Sequence, residues 1–169
     1  MTFAPRTWSV GEVVTAAMLN VEIRDQLNSM FAAWTSYTPT WTGATTNPAI
    51  GNGTLVGRHM KIGRTCHVHA RLIVGSSTTF GSGNLSLGLP FTAAGTMPGV
   101  LTAMANRDPA SPNFILGAAD LSNSATTTGT IWLANPSTPG DWNAWASGAP
   151  WTLAAGDVVK VYGTYQTAT

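Results

Sequence analysis

The strongest constraint on the fold is a change in hydrophobic period near Trp34. The segment TCHVHARLIVG, residues 65–75, places every second side chain on one apolar face, which is typical of a strand that is buried on one side. That face is formed by Cys66, Val68, Ala70, Leu72 and Val74. A period of two excludes a helix in this region and predicts a sheet.

Further runs with the same period follow along the chain, and Gly-Ser-Gly, Asn-Pro and Pro-Gly signals separate them. These runs are Leu55–Ile62, Asn84–Leu89, Val100–Asn106, Phe114–Leu121, Thr130–Ala134 and Val158–Thr167. Many short strands with polar turns and no alternating helices indicate antiparallel pairing. We therefore predict an all-β domain over residues 36–169, an antiparallel β-sandwich of jelly-roll-like type.

The preceding segment, residues 1–35, contains a helical pattern instead. Thr15 is suited to be an N-cap, because its hydroxyl can accept a bond from a free backbone N–H of the first turn. The apolar side chains that follow recur at spacings of three and four, which places them on one stripe. This helix stripe consists of Leu19, Ile23, Leu27 and Met30, and Trp34 continues its spacing. The sequence predicts one helix that runs from Thr15 to Trp34.

A helix of this length is marginal by itself, because most helix stability in proteins comes from packing. The helix stripe therefore needs a covering surface, and two are open. One is the β-domain of the same chain, and the other is a larger assembly of further copies or other proteins. Two heptads are short for a self-sufficient coiled coil, which favours a helix that is docked in an assembly.

Composition limits the classes of partner. Charged residues make up 9% of the chain and the net charge is +1, so no global field recruits nucleic acid or an anionic membrane. No segment has the length of apolar sequence that membrane insertion requires, and the N-terminus lacks the pattern of a signal peptide. Seven Trp and regularly spaced aliphatic residues supply a core, which argues against disorder.

Few residues are candidates for catalysis or metal binding. His67 and His69 share one face of their strand, but no third ligand is evident nearby, so we predict neither a metal nor a cofactor. The alternative is a metal held by this pair where copies of the chain meet at a symmetry axis. Cys66 lies on the apolar face, where a thiol behaves as a small hydrophobic group. Carboxylates are sparse, and Asp157 is suited to a Gly-Asp turn, in which its carboxylate accepts backbone N–H bonds. The sequence contains no phosphate-binding loop, nucleophile elbow or HExxH motif, and we expect no enzymatic activity.

The stretch NPSTPGDWNAWASGAPW, residues 135–151, concentrates Trp in a Pro- and Gly-rich region, where loops reach the surface. Flat aromatic faces suit sugar rings or the apolar surface of a partner. The alternative is that these Trp cap the ends of the sandwich or lie in a subunit interface. If this stretch forms a glycan site, the candidate residues are Trp142 and Trp145, with Asp141 and Asn143 as hydrogen-bonding groups.

The N-terminal segment TWSVGEVVTAAMLNVEIRDQLN resembles the start of small structural proteins of tailed bacteriophages, especially those that infect actinobacteria. The matching positions are Trp8, Gly11, Glu12, Val13, Val14, Thr15, Ala16, Leu19, Asn20, Ile23, Arg24 and Asp25. The β-region is similar to the C-terminal domains of phage minor tail or fibre proteins. The shared features are Pro39-Thr40-Trp41, Gly51-Asn52-Gly53-Thr54, Gly57-Arg58, the LGLPFTAA segment and the closing GDVVKVYGTYQ.

This resemblance implies a non-enzymatic virion protein of the minor tail, fibre or receptor-binding type, made in the host cytoplasm. It would attach to other phage structural proteins by its N-terminal segment, form a homotrimer and contact the host surface, with a glycan as the expected ligand. The helix stripe would then lie in a subunit or virion contact. The alternative is a structural decoration or adaptor protein of the virion without receptor-binding activity. Within the resemblance, Gly51-Asn52-Gly53 is expected to be a turn and Trp41 a core residue.

Overall fold

The computed structural model describes residues 7–107 and 113–168. In these ranges a short helical segment precedes ten strands, and the predicted all-β antiparallel fold with an N-terminal helix is confirmed. The strands are β1 (Thr35–Tyr37), β2 (Trp41–Gly43), β3 (Thr54–Ile62), β4 (Thr65–Ile73), β5 (Leu85–Leu87), β6 (Val100–Asn106), β7 (Phe114–Asp120), β8 (Ile131–Ala134), β9 (Trp142–Ala144) and β10 (Val158–Gln166).

The helical segment consists of α1 (Ala16–Leu19), a π-helical turn (Asn20–Arg24) and α2 (Asp25–Met30). The predicted N-cap is confirmed, because the hydroxyl oxygen of Thr15 accepts a bond from the backbone N–H of Met18 at 3.2 Å. This bond satisfies one of the N–H groups that the first turn leaves without an intrahelical partner.

The predicted extent of the helix is wrong at its C-terminal end. Phe31 already leaves the helical conformation, with φ −109° and ψ 10°, and the chain then enters β1. The physical reason is competition from the sheet. Thr35 pairs with His59 of β3, and the Trp34 ring lies 4.8 Å from the ring of His69. These contacts hold the chain extended where the spacing alone favoured another helical turn.

Eight strands form one antiparallel sheet, in the order β1-β3-β4-β10-β6-β7-β8-β9. The long strands β3, β4 and β10 lie side by side, and β6 continues the sheet beyond β10. The strands β2 and β5 form a second, two-stranded sheet. The two edge strands of the large sheet, β1 and β9, are each only three residues long, which limits the exposed edge that could pair with another strand.

One face of the large sheet, here called the inner face, packs against the small sheet and the connecting loops. The alternation predicted for β4 is confirmed, because Cys66 and Leu72 are fully buried together with the other apolar residues of that face. Trp41 of the small sheet is also buried, as expected for a core residue. Further buried side chains come from both layers: Leu85, Leu87, Leu101, Ala103, Ala119, Ile131, Leu133, Val159, Val161 and Tyr165.

Two predicted turns are present. Gly51 has φ +57°, a left-handed conformation that L-residues rarely adopt, and an added Cβ would collide with Ser77. Asp157 is buried, and its carboxylate accepts the backbone N–H of Ala154 at 3.0 Å and the indole N–H of Trp151 at 2.9 Å. Asp157 therefore has a structural role, and it also holds Trp151 at the rim of the domain.

Candidate functional site

The opposite face of the large sheet is here called the outer face. Apart from Trp34, whose ring packs on His69, no second layer of the described chain covers it. The strand register aligns its side chains across the sheet. One row contains Arg58, His69, Tyr162, Thr102, Ala118 and Trp132. A second row contains Val56, Arg71, Lys160, Met104 and Leu116, and Trp142 pairs with Ala134 at the far edge.

The outer face has two chemically different ends. The cationic end, on β3, β4 and β10, consists of Arg58, Arg71 and Lys160. The apolar end, on β7, β8 and β9, consists of Phe114, Leu116, Trp132 and Trp142, and all four side chains are exposed. Contiguous exposed apolar side chains on a soluble domain mark a binding surface. The outer face is therefore the candidate functional site.

Two indoles form the centre of the apolar end. Trp142 is 54% exposed and Trp132 is 44% exposed. Trp132 pairs with Ala144, and Trp142 lies two positions before Ala144 on β9. Trp132 and Trp142 are therefore diagonal neighbours on one face, at a backbone separation of about 7–8 Å that aromatic side chains can bridge.

The structure separates the two Trp that were predicted to share a glycan site. Trp145 is fully buried and stacks on Trp41, with ring centroids 6.1 Å apart and an interplanar angle of 10°. Its assignment as a surface platform is wrong. The reason is the alternation of β9, because residues three positions apart on an extended chain point to opposite faces. Trp142 thus faces outward and Trp145 enters the core.

The predicted polar partners are also not grouped around Trp142. Asn143 pairs with Leu133, on the side of β9 opposite to Trp142, and Asp141 is exposed just before the strand. The residue that does accompany Trp142 on the outer face is Trp132, which lies outside the Pro- and Gly-rich stretch. The signal was the run IWLA in β8, where two buried aliphatic residues, Ile131 and Leu133, flank an indole that must point outward.

The helix stripe is half-exposed, since its four side chains are between 43% and 51% exposed. Ile23, Leu27 and Met30 line a cleft of about 690 Å³ that separates the helical segment from β3 and Phe91. The β-domain of the same chain therefore covers the stripe only in part, and its apolar surface remains available for another protein.

The other chemically active groups are engaged or buried. Burial raises the pKa of the Cys66 thiol, which disfavours the thiolate that a nucleophile or metal ligand requires. His67 Nδ1 lies 2.9 Å from the hydroxyl of Thr164. Among residues 7–107 and 113–168, no group of three or more His, Cys, Asp or Glu side chains could hold a metal ion. In the same ranges no helix combines the length and apolarity needed to span a membrane.

Comparison of the chain with known protein families, with curated proteins and with solved structures finds no match.

Proposed function

We propose that this protein is a non-enzymatic structural protein of a tailed-phage virion. It attaches to the particle through its N-terminal segment and contacts the host surface with the outer face of its β-domain. The observation that carries this proposal is the pair of exposed indoles, Trp132 and Trp142, on the outer face. The N-terminal residues that resemble phage structural proteins support the virion assignment.

The exposed indoles are suited to a sugar ligand. A sugar ring that stacks on an indole buries apolar C–H surface, which stabilises the contact by about 25 cal/mol per Å². Both indoles are on paired strands of a sheet, so little conformational entropy is lost on binding. One such contact still gives weak binding after the loss of translational freedom. Useful affinity needs several copies that act together, which favours an oligomeric head.

The helix stripe is the proposed attachment surface. Its aliphatic side chains lie on a helical segment of two short α-helices and a π-helical turn, and their half-exposed state would be an aggregation liability on an isolated monomer. Burial against a neighbouring subunit or another phage structural protein removes that liability. We propose a homotrimer in which the stripe is the contact between subunits or with the virion.

Adsorption of the full-length protein to host cell walls tests the function. We expect wild type to adsorb, and Trp132→Ala and Trp142→Ala each to reduce adsorption, with the double variant near background. Phe31→Ala is the matched control, because it removes an exposed aromatic side chain outside the outer face. Light scattering and circular dichroism check that each variant keeps its oligomeric state and fold.

Two outcomes contradict the proposed host contact. If the double variant is folded and adsorbs as well as wild type, the indole pair is not the contact site. If wild type does not adsorb to the cell wall of any host that the particle infects, the protein has no receptor-binding role. The alternative function, a decoration or adaptor protein whose apolar end contacts another virion protein, then takes its place.

A further inference from the structure

An open groove of about 820 Å³ lies over the outer face at its cationic end. Residues of β1, β3, β4 and β10 line it, and Arg58, Arg71 and Lys160 extend into it from three adjacent strands. This volume is in the range of sites that bind small molecules. The groove is separate from the indole pair, which lies on β8 and β9 at the other end of the sheet.

The groove concentrates positive charge without compensation. The whole sequence has eight Lys and Arg, and three of them line this one groove. Among the described residues, no acidic side chain lines it. In the described ranges an ion pair joins Arg24 to Asp25, whereas none is formed by Arg58, Arg71 or Lys160. In a chain whose charged fraction is 9%, this is an unusual local density of cations.

The placement of these three cations on adjacent strands does not stabilise the fold. Arg71 of β4 pairs directly with Lys160 of β10, and Arg58 of β3 pairs with His69, two positions from Arg71 on the same strand. Like charges that face each other across an antiparallel pair destabilise a sheet. The strands do not need these cations for their pairing or their core, because all three side chains are on the outer face.

Aromatic rings stand beside these cations. The ring of His69 lies 4.8 Å from the ring of Trp34 and 5.9 Å from that of Tyr162, so three rings form a continuous line across β4 and β10. Trp34 and Tyr162 are about two-fifths exposed. Flat rings of this kind contact the C–H faces of sugars, whereas a simple inorganic anion gains nothing from them.

We propose that this groove binds an anionic saccharide, with carboxylate or phosphate groups on Arg58, Arg71 and Lys160 and a sugar face on the ring line. The inference builds on the proposed host contact and names the chemistry of the ligand. Guanidinium groups bind carboxylate and phosphate in the same two-pronged geometry, so the shared chemistry is the acidic group on a sugar. Acidic polymers of a bacterial surface present such groups repeatedly.

Nucleic acid is a less suitable occupant. Proteins that bind nucleic acid neutralise many phosphates along an extended basic surface, and this groove has three cations on a protein of net charge +1.

Binding of purified oligosaccharides to the full-length protein tests this inference. The probes are oligogalacturonate for the carboxylate form, phosphate-substituted dextran oligomers for the phosphate form, and neutral dextran oligomers of the same length. Titration calorimetry at low salt should show binding of at least one acidic probe and weaker binding of the neutral one. Added salt should weaken the acidic interaction, because exposed charges are screened.

The variant that removes two cations is Arg71→Gln with Lys160→Gln. It should reduce affinity for the acidic probe about tenfold, since each exposed ion contact contributes a modest amount. The control variant is Arg107→Gln, which removes an exposed cation at the end of β6, outside the groove, and should leave affinity within about twofold. Arg58→Gln is a second groove variant, and circular dichroism verifies that all of them fold.

The inference is overturned if neither acidic probe binds, if the double variant binds as well as wild type, or if a single-stranded oligonucleotide of equal charge binds more tightly than both probes. Failure of the proposed function is recognised separately, by cell-wall adsorption. If the acidic probes bind the groove but the protein does not adsorb to cell walls, the proposed function fails and this inference stands. If the protein adsorbs but binds neither acidic probe, only this inference is contradicted.

Discussion

The two faces of the large sheet are built from the same strands, but they differ in what determines their residues. On the inner face, Leu72 and Val161 are buried in a continuous core. On the outer face, their sequence neighbours Arg71 and Tyr162 are exposed, and no described part of the chain covers them. Packing therefore dictates the inner face, while the outer face is free to vary without loss of the core.

This difference shows where a functional signal can be found. Buried aliphatic residues are explained by burial alone. Burial does not explain exposed indoles or cations that face each other across paired strands, because such residues contribute little to stability or lower it. The following substitutions change one face and leave the other, except for the last, which lies outside both faces. They are ordered by their expected effect on the free energy of unfolding.

The largest difference is expected between the two Trp of the predicted glycan site. Trp145→Ala removes a fully buried indole that stacks on Trp41, and it should lower the free energy of unfolding by about 3–5 kcal/mol. Trp142→Ala removes a half-exposed indole and should change it by no more than about 0.5 kcal/mol. Chemical denaturation measures both. Equal losses would mean that the two faces do not divide as described.

A second pair compares neighbours on β4. Leu72→Ala should cost about 2–5 kcal/mol, because it opens a cavity in the core. Arg71→Ala should leave stability unchanged or raise it by a few tenths of a kcal/mol, since it removes the like-charge opposition to Lys160. The same denaturation experiment measures this pair. A clear loss of stability in Arg71→Ala would show that the cation has a structural role.

A third substitution, at His59, concerns the dependence of stability on pH. His59 lies on the inner face between Tyr37 and Phe91, and burial lowers its pKa. The unfolded chain therefore takes up a proton first, so the contribution of His59 is complete above a pH of about 6.5 and is lost as the pH falls through the lowered pKa. His59→Phe should flatten this part of the stability profile, because the variant lacks the group whose pKa is lowered by burial. Chemical denaturation over a series of pH values measures the profile, and a profile identical to that of wild type would contradict the assignment.

The smallest effect on stability is expected outside both faces, at the helix stripe. Ile23→Asp with Leu27→Asp alters side chains that are half-exposed, so the β-domain should unfold at the same denaturant concentration as in wild type. The same variant should abolish the proposed oligomer, because it places two charges in the proposed subunit contact. Light scattering measures the mass. A wild-type protein that is monomeric in solution and in the particle would contradict the proposed trimer.

Period and turn residues were sufficient to predict most of the sheet. The strand Val100–Asn106 has the predicted bounds, and β3, β4, β7, β8 and β10 differ from prediction by a residue or so at their ends. The strands β1, β2 and β9 were missed, because three residues do not establish a period. Their pairing depends on partners that are distant in sequence, such as Leu87 for Trp41.

The candidate site was less accessible from the sequence. Trp142 is indicated by its position in a Pro- and Gly-rich stretch, but its neighbour on the outer face, Trp132, comes from another strand. The cationic groove could not be predicted at all, because it depends on the order in which β3, β4 and β10 pair. Arg58, Arg71 and Lys160 are scattered in the sequence, and only the register places them side by side.

Amide chemical shifts of the isotope-labelled protein, recorded with and without fragments of host cell wall, test the outer face as the recognition surface most directly. The account predicts changes confined to outer-face residues, with Trp132 and Trp142 at one end and Arg71 and Lys160 at the other. The helix stripe and the loop around Gly51 should remain unchanged. Changes centred on the stripe or on that loop, or no change with a host whose cell walls adsorb the protein, would contradict the account.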